Sequence, residues 1–327
     1  VVSGKNLGQA MRFVYGDTVP GKTVIYLSLA AIIIGCAAFE AGNILGAAAG
    51  ISLVMPGLSN TLIVSVIGLA AGILLWVGSV RQIALVLGVI VAFLGICFLF
   101  TAFLVPANPD GILAGALIPS IPPGAELLVL GLIGTTVVPY NLFLGSGMKH
   151  RQTAGEMKVS LFIAIGLGGL ISVAVLLTGT AIMGEFTFET LAGELTMLIG
   201  TAGPWLLGIG LFGAGLSSTL TAALAASITA SSILNKTRSD TAWTQKGLRF
   251  RAVWIFVLLT GMFFGLLKVQ PAPAIILAQA LNGIFLPIIA VVLFMLINHS
   301  VLIPKAHQNG LIYNLLTAVV VYLTFLI

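Results

Sequence analysis

The sequence predicts an all-α, polytopic membrane protein, and three observations carry that prediction. The chain has 327 residues, of which 59% are hydrophobic and only 7% charged, where an ordinary soluble domain carries about 25% charged residues. Its apolar residues fall into runs near the ~20 residues that a helix needs to cross a bilayer. Its basic residues sort onto alternate loops between those runs. A water-soluble fold has nowhere to put so much apolar surface. Lipid solvates it and requires only that backbone groups be paired within the chain. The 39 glycines fit the same class, because small residues let membrane helices approach closely. Cys36 and Cys97 both lie inside apolar runs and read as buried apolar side chains, not as a disulfide or metal pair.

Nine spans are expected, at about 23–49, 57–77, 82–105, 124–148, 157–183, 198–234, 250–268, 271–297 and 310–327. The sixth is long enough to tilt or to run past the membrane. With the N-terminus inside, the cytoplasmic loops hold Lys5, Arg12, Lys22, Arg81, Lys149, Arg151, Lys158, Lys236, Arg238, Lys246, Arg249, Arg251 and Lys305, leaving only Lys268 of the 14 basic residues outside. Asp110, Glu126, Glu185, Glu189 and Glu194 fall on the other side. That asymmetry is what the positive-inside rule describes. The net charge of +5 therefore reads as orientation, and no nucleic-acid partner is expected. The chain reads as one transmembrane domain over 1–327. It opens on an amphipathic cytoplasmic connector at 1–22 with a helical piece around Asn6–Tyr15, able to meet anionic lipid. Its first residues carry no cleavable signal and read as the continuation of something already in progress.

Most of these spans are plain Leu/Ile/Val/Ala/Gly helix, and three places are not. In the fourth, Gly134-Thr135-Thr136-Val137-Val138-Pro139-Tyr140-Asn141 places a proline beside two threonines and a glycine. Pro139 removes one helical hydrogen bond, and the freed carbonyls near Thr135 and Thr136 fall at mid-membrane. Such backbone is tolerated where it is buried or lines a cavity. An ion site and an ordinary proline kink both remain open here. In the first, Glu40 is the one acidic residue well inside a span, with Asn43 one turn on. A carboxylate in lipid costs at least about 2.5 kcal/mol, so Glu40 is expected to face the protein interior. It either lines a pathway or forms a structural ion pair, with Arg249 or Arg251 as the candidate partners. In the eighth, Gln279 and Asn282 are spaced i, i+3 before Pro287, on one helix face. They line a pathway or join helices by hydrogen bonds.

At these residues the sequence resembles the NRAMP family of divalent metal transporters. Gly134–Ser146 (GTTVVPYNLFLGS) is similar to that family's broken sixth helix, usually close to GAVIMPHNLYLHS. Asn43–Ala48 resembles its third helix, Leu211–Gly215 with Ser217-Ser218-Thr219 its eighth, Gln279–Pro287 its tenth, and Ser3–Leu7 the segment after its second. The resemblance implies a LeuT-like fold of inverted repeats with the substrate at their interface. It makes the nine spans family helices three to eleven. The first two helices, with their Asp-Pro-Gly-Asn metal ligands, are not in this chain.

Two departures from the family bear on chemistry. The family's methionine is Val138 here, so the soft thioether that favours transition metals is absent. Oxygen donors from Thr135, Thr136 and Gln279 are left, and these suit Mg²⁺ and Mn²⁺. The family's histidine is Tyr140, whose ordinary pKa near 10 makes it a poor proton relay, and its acidic pair on helix three becomes Glu40 and Asn43. The resemblance therefore implies a secondary transporter of divalent metal ions (the Mn²⁺, Mg²⁺, Fe²⁺ class) in the bacterial inner membrane, working by alternating access with weakened or absent proton coupling. Thr135, Thr136, Val138 and Gln279 would line the metal site. Tyr140, Asn141, Glu40, Asn43, Asn282 and Arg251 would line the pathway around it. The alternative is an amino-acid or other small-solute permease on the same fold. An intramembrane enzyme is not expected: His150, His299 and His307 fall in loops or at span ends, and no nucleophile–base pair lies inside a span. No cofactor and no obligate protein partner is expected beyond the metal substrate and the bilayer.

Overall fold

The computed structural model describes residues 3–16, 18–78, 80–105, 109–118, 120–147, 153–182, 184–235, 240–267, 269–305 and 308–326. Lys149, His150, Arg151, Lys236, Arg238, Lys268 and His307 of the loop analysis lie outside the described residues. Every regular element among those described is a helix. In chain order they are α1 (Leu7–Tyr15), α2 (Val19–Val54), α3 (Asn60–Val77), α4 (Val80–Leu104), α5 (Pro109–Leu117), α6 (Glu126–Thr136), α7 (Pro139–Gly147), α8 (Ala154–Gly179), α9 (Phe188–Ile199), α10 (Ala202–Leu234), α11 (Leu248–Leu266), α12 (Pro271–Ile297) and α13 (Leu311–Leu323).

The helix starts are written in local chemistry. Asn6 caps α1 reciprocally with Gln9, the Thr18 hydroxyl accepts from the Gly21 amide ahead of α2, and Ser59 caps α3. Thr153 and Glu156 form a capping box before α8, and Thr187 and Thr190 one before α9. Each cap satisfies a backbone donor that the first helical turn leaves free. Gly78 ends α3 at φ +79°, a left-handed conformation that glycine enters without steric cost.

Among the described residues, eight helices, counting α6 and α7 as one broken span, are long and apolar enough to cross a membrane. The expected ninth is shorter: α13 has 13 residues, about 20 Å at 1.5 Å per residue, against a hydrocarbon core of about 30 Å. The loops around 105–123 and 184–197 hold the short helices α5 and α9, neither of which hydropathy alone marks.

The 36-residue α2 is the hub, in contact with α1, α3, α7, α9, α10, α11 and α12. Its face toward α10 is cut so that backbones meet. A Cβ on Gly50 would lie 2.4 Å from the Gly208 carbonyl oxygen, and one on Gly215 2.6 Å from that of Asn43. No hydrophobic force drives helices together in lipid, so this closeness, with its dispersion contacts, is what holds the pair. At the periphery, Thr101 of α4 and Thr178 of α8 share a buried 3.1 Å hydrogen bond.

Candidate functional site

The break in the fourth span lies where the proline predicts it. α6 ends at Thr136, Val137 leaves helical geometry at φ −118°, ψ 82°, and α7 begins at Pro139. With no N–H on Pro139, the Thr135 carbonyl has no donor four residues ahead. The two halves then have different main neighbours. α6 lies against α12: a Cβ on Gly134 would stand 2.0 Å from the Gln279 carbonyl oxygen and 2.7 Å from the Gly283 nitrogen. Gly283 answers from the other side, where a Cβ would stand 3.0 Å from the Leu130 carbonyl oxygen. α7 instead lies mainly along α10, with further contacts to α1, α2 and α12.

This contact brings Gln279 to the end of α6. Its Oε1 is buried and has no hydrogen-bond partner. Thr135 and Thr136 are exposed, and the Thr136 hydroxyl donates to the Leu132 carbonyl at 2.6 Å. Val138 is buried in the main hydrophobic core. Asn141 is exposed as the third residue of α7, inside the helix and not at its cap. Gln279 and Asn282 do not share a neighbour: Gln279 meets α6, whereas Asn282 turns its Oδ1 toward Gly35 of α2. One helical turn is wide enough for the two amides to serve different interfaces.

A second polar group lies behind the break. Glu40 of α2 is fully buried, and neither carboxylate oxygen has a hydrogen-bond partner. Asn43 and Thr219 of α10 are the polar side chains nearest to it, and both stop short of hydrogen-bond geometry. Cys36 and Tyr140 stand close by. The Phe39 and Tyr140 rings meet edge to face with centroids 5.4 Å apart, so α7 is attached to α2 at this point. α11 closes the far side, where a Cβ on Gly261 would lie 2.5 Å from Glu40 Cγ.

Of the two readings of Glu40, the ion pair with Arg249 or Arg251 does not form. Arg249 pairs with Asp240 at 3.0 Å, and the Arg251 guanidinium sits 3.8 Å above the Trp76 ring, which itself meets Trp254 edge to face. Gly261, opposite Glu40, is ten residues further along α11 than Arg251, about 15 Å at 1.5 Å per residue. Arg251 is therefore a cation–π partner at the end of the span. Two further neighbours of Glu40, Thr219 and Gly261, lie outside the site residues that the sequence marks. Thr219 lies one turn beyond Gly215 on α10, the glycine that touches the Asn43 carbonyl. A polar residue i+4 from a contact glycine is a usable signal for it, and nothing marks Gly261.

Among the described residues no group of three or more His, Cys, Asp or Glu side chains is arranged to hold a metal. Any cation held at the break by these residues would meet amide, hydroxyl and backbone oxygens.

Comparison with known proteins agrees with this architecture. The Divalent metal cation transporter MntH of Verminephrobacter eiseniae is 28% identical over 251 residues, 70% of this chain and 55% of that protein. Its namesake in Acidiphilium cryptum is 26% identical over 316 residues, 88% of this chain and 67% of that protein. The chain thus spans between about half and two thirds of the length of these relatives. A crystal structure of a mutant Eremococcus coleocola manganese transporter matches with a TM-score of 0.68 at 17% identity, over 96% of this chain and 72% of that one. The fold is LeuT-like, and the protein is a multi-pass membrane protein. With the profile of the natural resistance-associated macrophage protein-like family matching residues 1–327, the chain belongs to the Nramp family.

Proposed function

We propose that this chain forms most of a secondary transporter that carries divalent metal ions across a bacterial inner membrane by alternating access. The observation that carries the reading is the break at Val137-Val138 set against an unpartnered Gln279 Oε1. Helices broken at mid-depth expose backbone carbonyls where membrane transporters bind ions. The relatives named as divalent metal cation transporters, and the manganese transporter of like fold, support the metal as cargo. An amino-acid permease has no comparable support, and the relatives carry no enzyme name.

The donors in this reading are the Thr135 carbonyl, the Thr136 hydroxyl and Gln279 Oε1. All are hard oxygens, which favour Mg²⁺ and Mn²⁺ over softer ions. Val138 occupies the site of a soft ligand with a buried isopropyl group and offers no donor. Tyr140, Asn141, Asn43 and Asn282 are assigned to the pathway around the ion. Proton coupling is weak or absent in this reading, because Glu40 is a lone carboxylate with an amide at Asn43 and a phenol at Tyr140 as its neighbours. Residues 1–22, the last four of them already in α2, are assigned to the cytoplasmic connector.

The test uses the full-length protein in liposomes, with an internal metal reporter and a pH dye. Mg²⁺ and Mn²⁺ uptake without acidification is expected. Mn²⁺ uptake with acidification and no Mg²⁺ uptake would overturn the assignment of selectivity to Val138 and of coupling to Glu40, Asn43 and Tyr140. Val138→Met is expected to raise the preference for Mn²⁺ over Mg²⁺ about tenfold, about 1.4 kcal/mol of differential binding.

A further inference from the structure

A cavity of about 1140 Å³ opens between α1, the start of α2, the end of α10 and the segment before α11. Three cations line it, Lys5, Arg12 and Lys22, and no carboxylate does among the described residues. None of the three has an ion-pair partner among the described residues. Two of them are held by something other than a counter-charge. The Arg12 guanidinium donates to the Asn235 carbonyl and leaves Nε unpartnered. Lys5 Nζ lies 4.9 Å from the centre of the Phe13 ring. Lys22 is exposed in the first turn of α2.

The rim has a second character. Phe13 and Tyr26 line the same cavity and are 51% and 56% exposed, and Val19 between them in sequence is 78% exposed. Tyr26 lies two turns into α2, a helix long and apolar enough to cross a membrane, and its ring is exposed at the cavity edge. Aromatic side chains gather at the level of lipid headgroups, where one end of the ring is apolar and the other wet. Three cations with no ion-pair partner among the described residues, in a cavity edged by exposed apolar rings, match one chemistry, a phosphate carried on an acyl chain.

We propose that this cavity binds the phosphate of an anionic phospholipid headgroup, with Lys5, Arg12 and Lys22 as its ligands and Phe13, Val19 and Tyr26 against the acyl chains. Guanidinium provides paired donors in a fixed fork, and the two ammonium groups supply point charge. Free phosphate shares the headgroup chemistry but gains nothing from the rim.

The test is lipid retention by the full-length protein, read by native mass spectrometry after solubilisation with phosphatidylglycerol or phosphatidylcholine. Retention of phosphatidylglycerol over phosphatidylcholine is expected. Lys5→Gln and Lys22→Gln, both at exposed positions, should each lower retention about fivefold, the effect of about 1 kcal/mol per basic residue at a membrane surface. Tyr26→Ser should lower it without changing charge. Lys305→Gln, remote from the cavity in sequence and not among its lining residues, should leave it unchanged. Equal retention of the two lipids, or indifference to both lysine variants, overturns the proposal. So does competition by inorganic phosphate that matches the lipid in affinity, which would make this a site for free phosphate.

Discussion

Gly134 and Gly131 lie one turn apart on the same helix, and alanine is expected to act on them with opposite sign. At Gly134 the added Cβ would stand 2.0 Å from the Gln279 carbonyl oxygen, whereas ordinary contact begins near 3.4 Å, so α6 must retreat from α12 by about 1.4 Å. Both obstructing atoms, the Gln279 oxygen and the Gly283 nitrogen, are backbone, and no rotamer change relieves them. Overpacking of this kind costs about 1–3 kcal/mol, partly offset by the gain of up to about 1 kcal/mol on replacing glycine with alanine in a helix. At Gly131 the same Cβ meets only the Ile276 oxygen at 3.4 Å and side-chain carbons at 3.7 Å, which leaves the propensity gain nearly intact. Thermal melts of the two variants, followed by intrinsic tryptophan fluorescence, should therefore rank Gly131→Ala at or above the parent and Gly134→Ala below it. In the uptake assay Gly134→Ala should lose about 100-fold, as expected when a binding group is misplaced by about 1 Å. A Gly134→Ala protein that melts and transports like the parent would refute the backbone contact between α6 and α12. Equal effects at the two glycines would refute the link between that contact and the break.

Glu40→Gln replaces a buried carboxyl group that has no hydrogen-bond partner with an amide of the same shape, so it should leave the melting temperature unchanged or raise it, since a carboxyl group without a partner gains nothing from burial; a fall of several degrees would mean that Glu40 has a partner. Arg251→Met should cost about 1–2 kcal/mol, the scale of a half-buried cation–π contact, and should spare transport; a loss of several kcal/mol would restore the ion pair with Glu40. Gly261→Ala should weaken the fold by driving a methyl group to within 2.5 Å of Glu40 Cγ, and pairing it with Glu40→Ala should recover much of the loss in a double-mutant cycle.

The places where sequence and structure agree are those governed by local rules. Pro139 breaks its helix because it has no N–H, Asn6 caps α1 because its side chain can accept from Gln9, and the long spans follow from unbroken apolar runs. The disagreements come where the answer depends on distance through space. Glu40 and Arg251 are both expensive in lipid, which made them natural partners, but ten residues of α11 separate Arg251 from the point opposite Glu40. The i, i+3 spacing of Gln279 and Asn282 was right as helix geometry, yet the two amides face different helices. α9 is legible in principle from the Thr187…Thr190 cap and is hidden from a search for spans by its 12-residue length and by Glu189 and Glu194 within it. The end of α13 at Leu323 has no breaker to announce it, since Thr324-Phe325-Leu326 is as apolar as the helix before it. At the break, the residue types were legible, but the orphaned Gln279 oxygen was not, because it depends on how closely Gly134 lets α6 approach α12.

The interlocked pair α2 and α10 has a bearing on the membranes in which this protein works. At 36 and 33 residues and 1.5 Å per residue, these helices are about 54 and 50 Å long, far beyond a hydrocarbon core of about 30 Å. A free helix of that length would adjust its tilt as the bilayer thickens or thins. These two are clamped at Gly50, Gly208 and Gly215 by backbone-to-backbone contact, so their crossing is set by protein and not by lipid. Changes in bilayer thickness must then be absorbed at the rim, by sparsely packed helices such as α8 and α13, or by the lipid itself. The central pair acts as a keel of constant draught: a shift in fatty-acid length or growth temperature reshapes the annulus around the molecule while the angle between its two longest helices stays fixed.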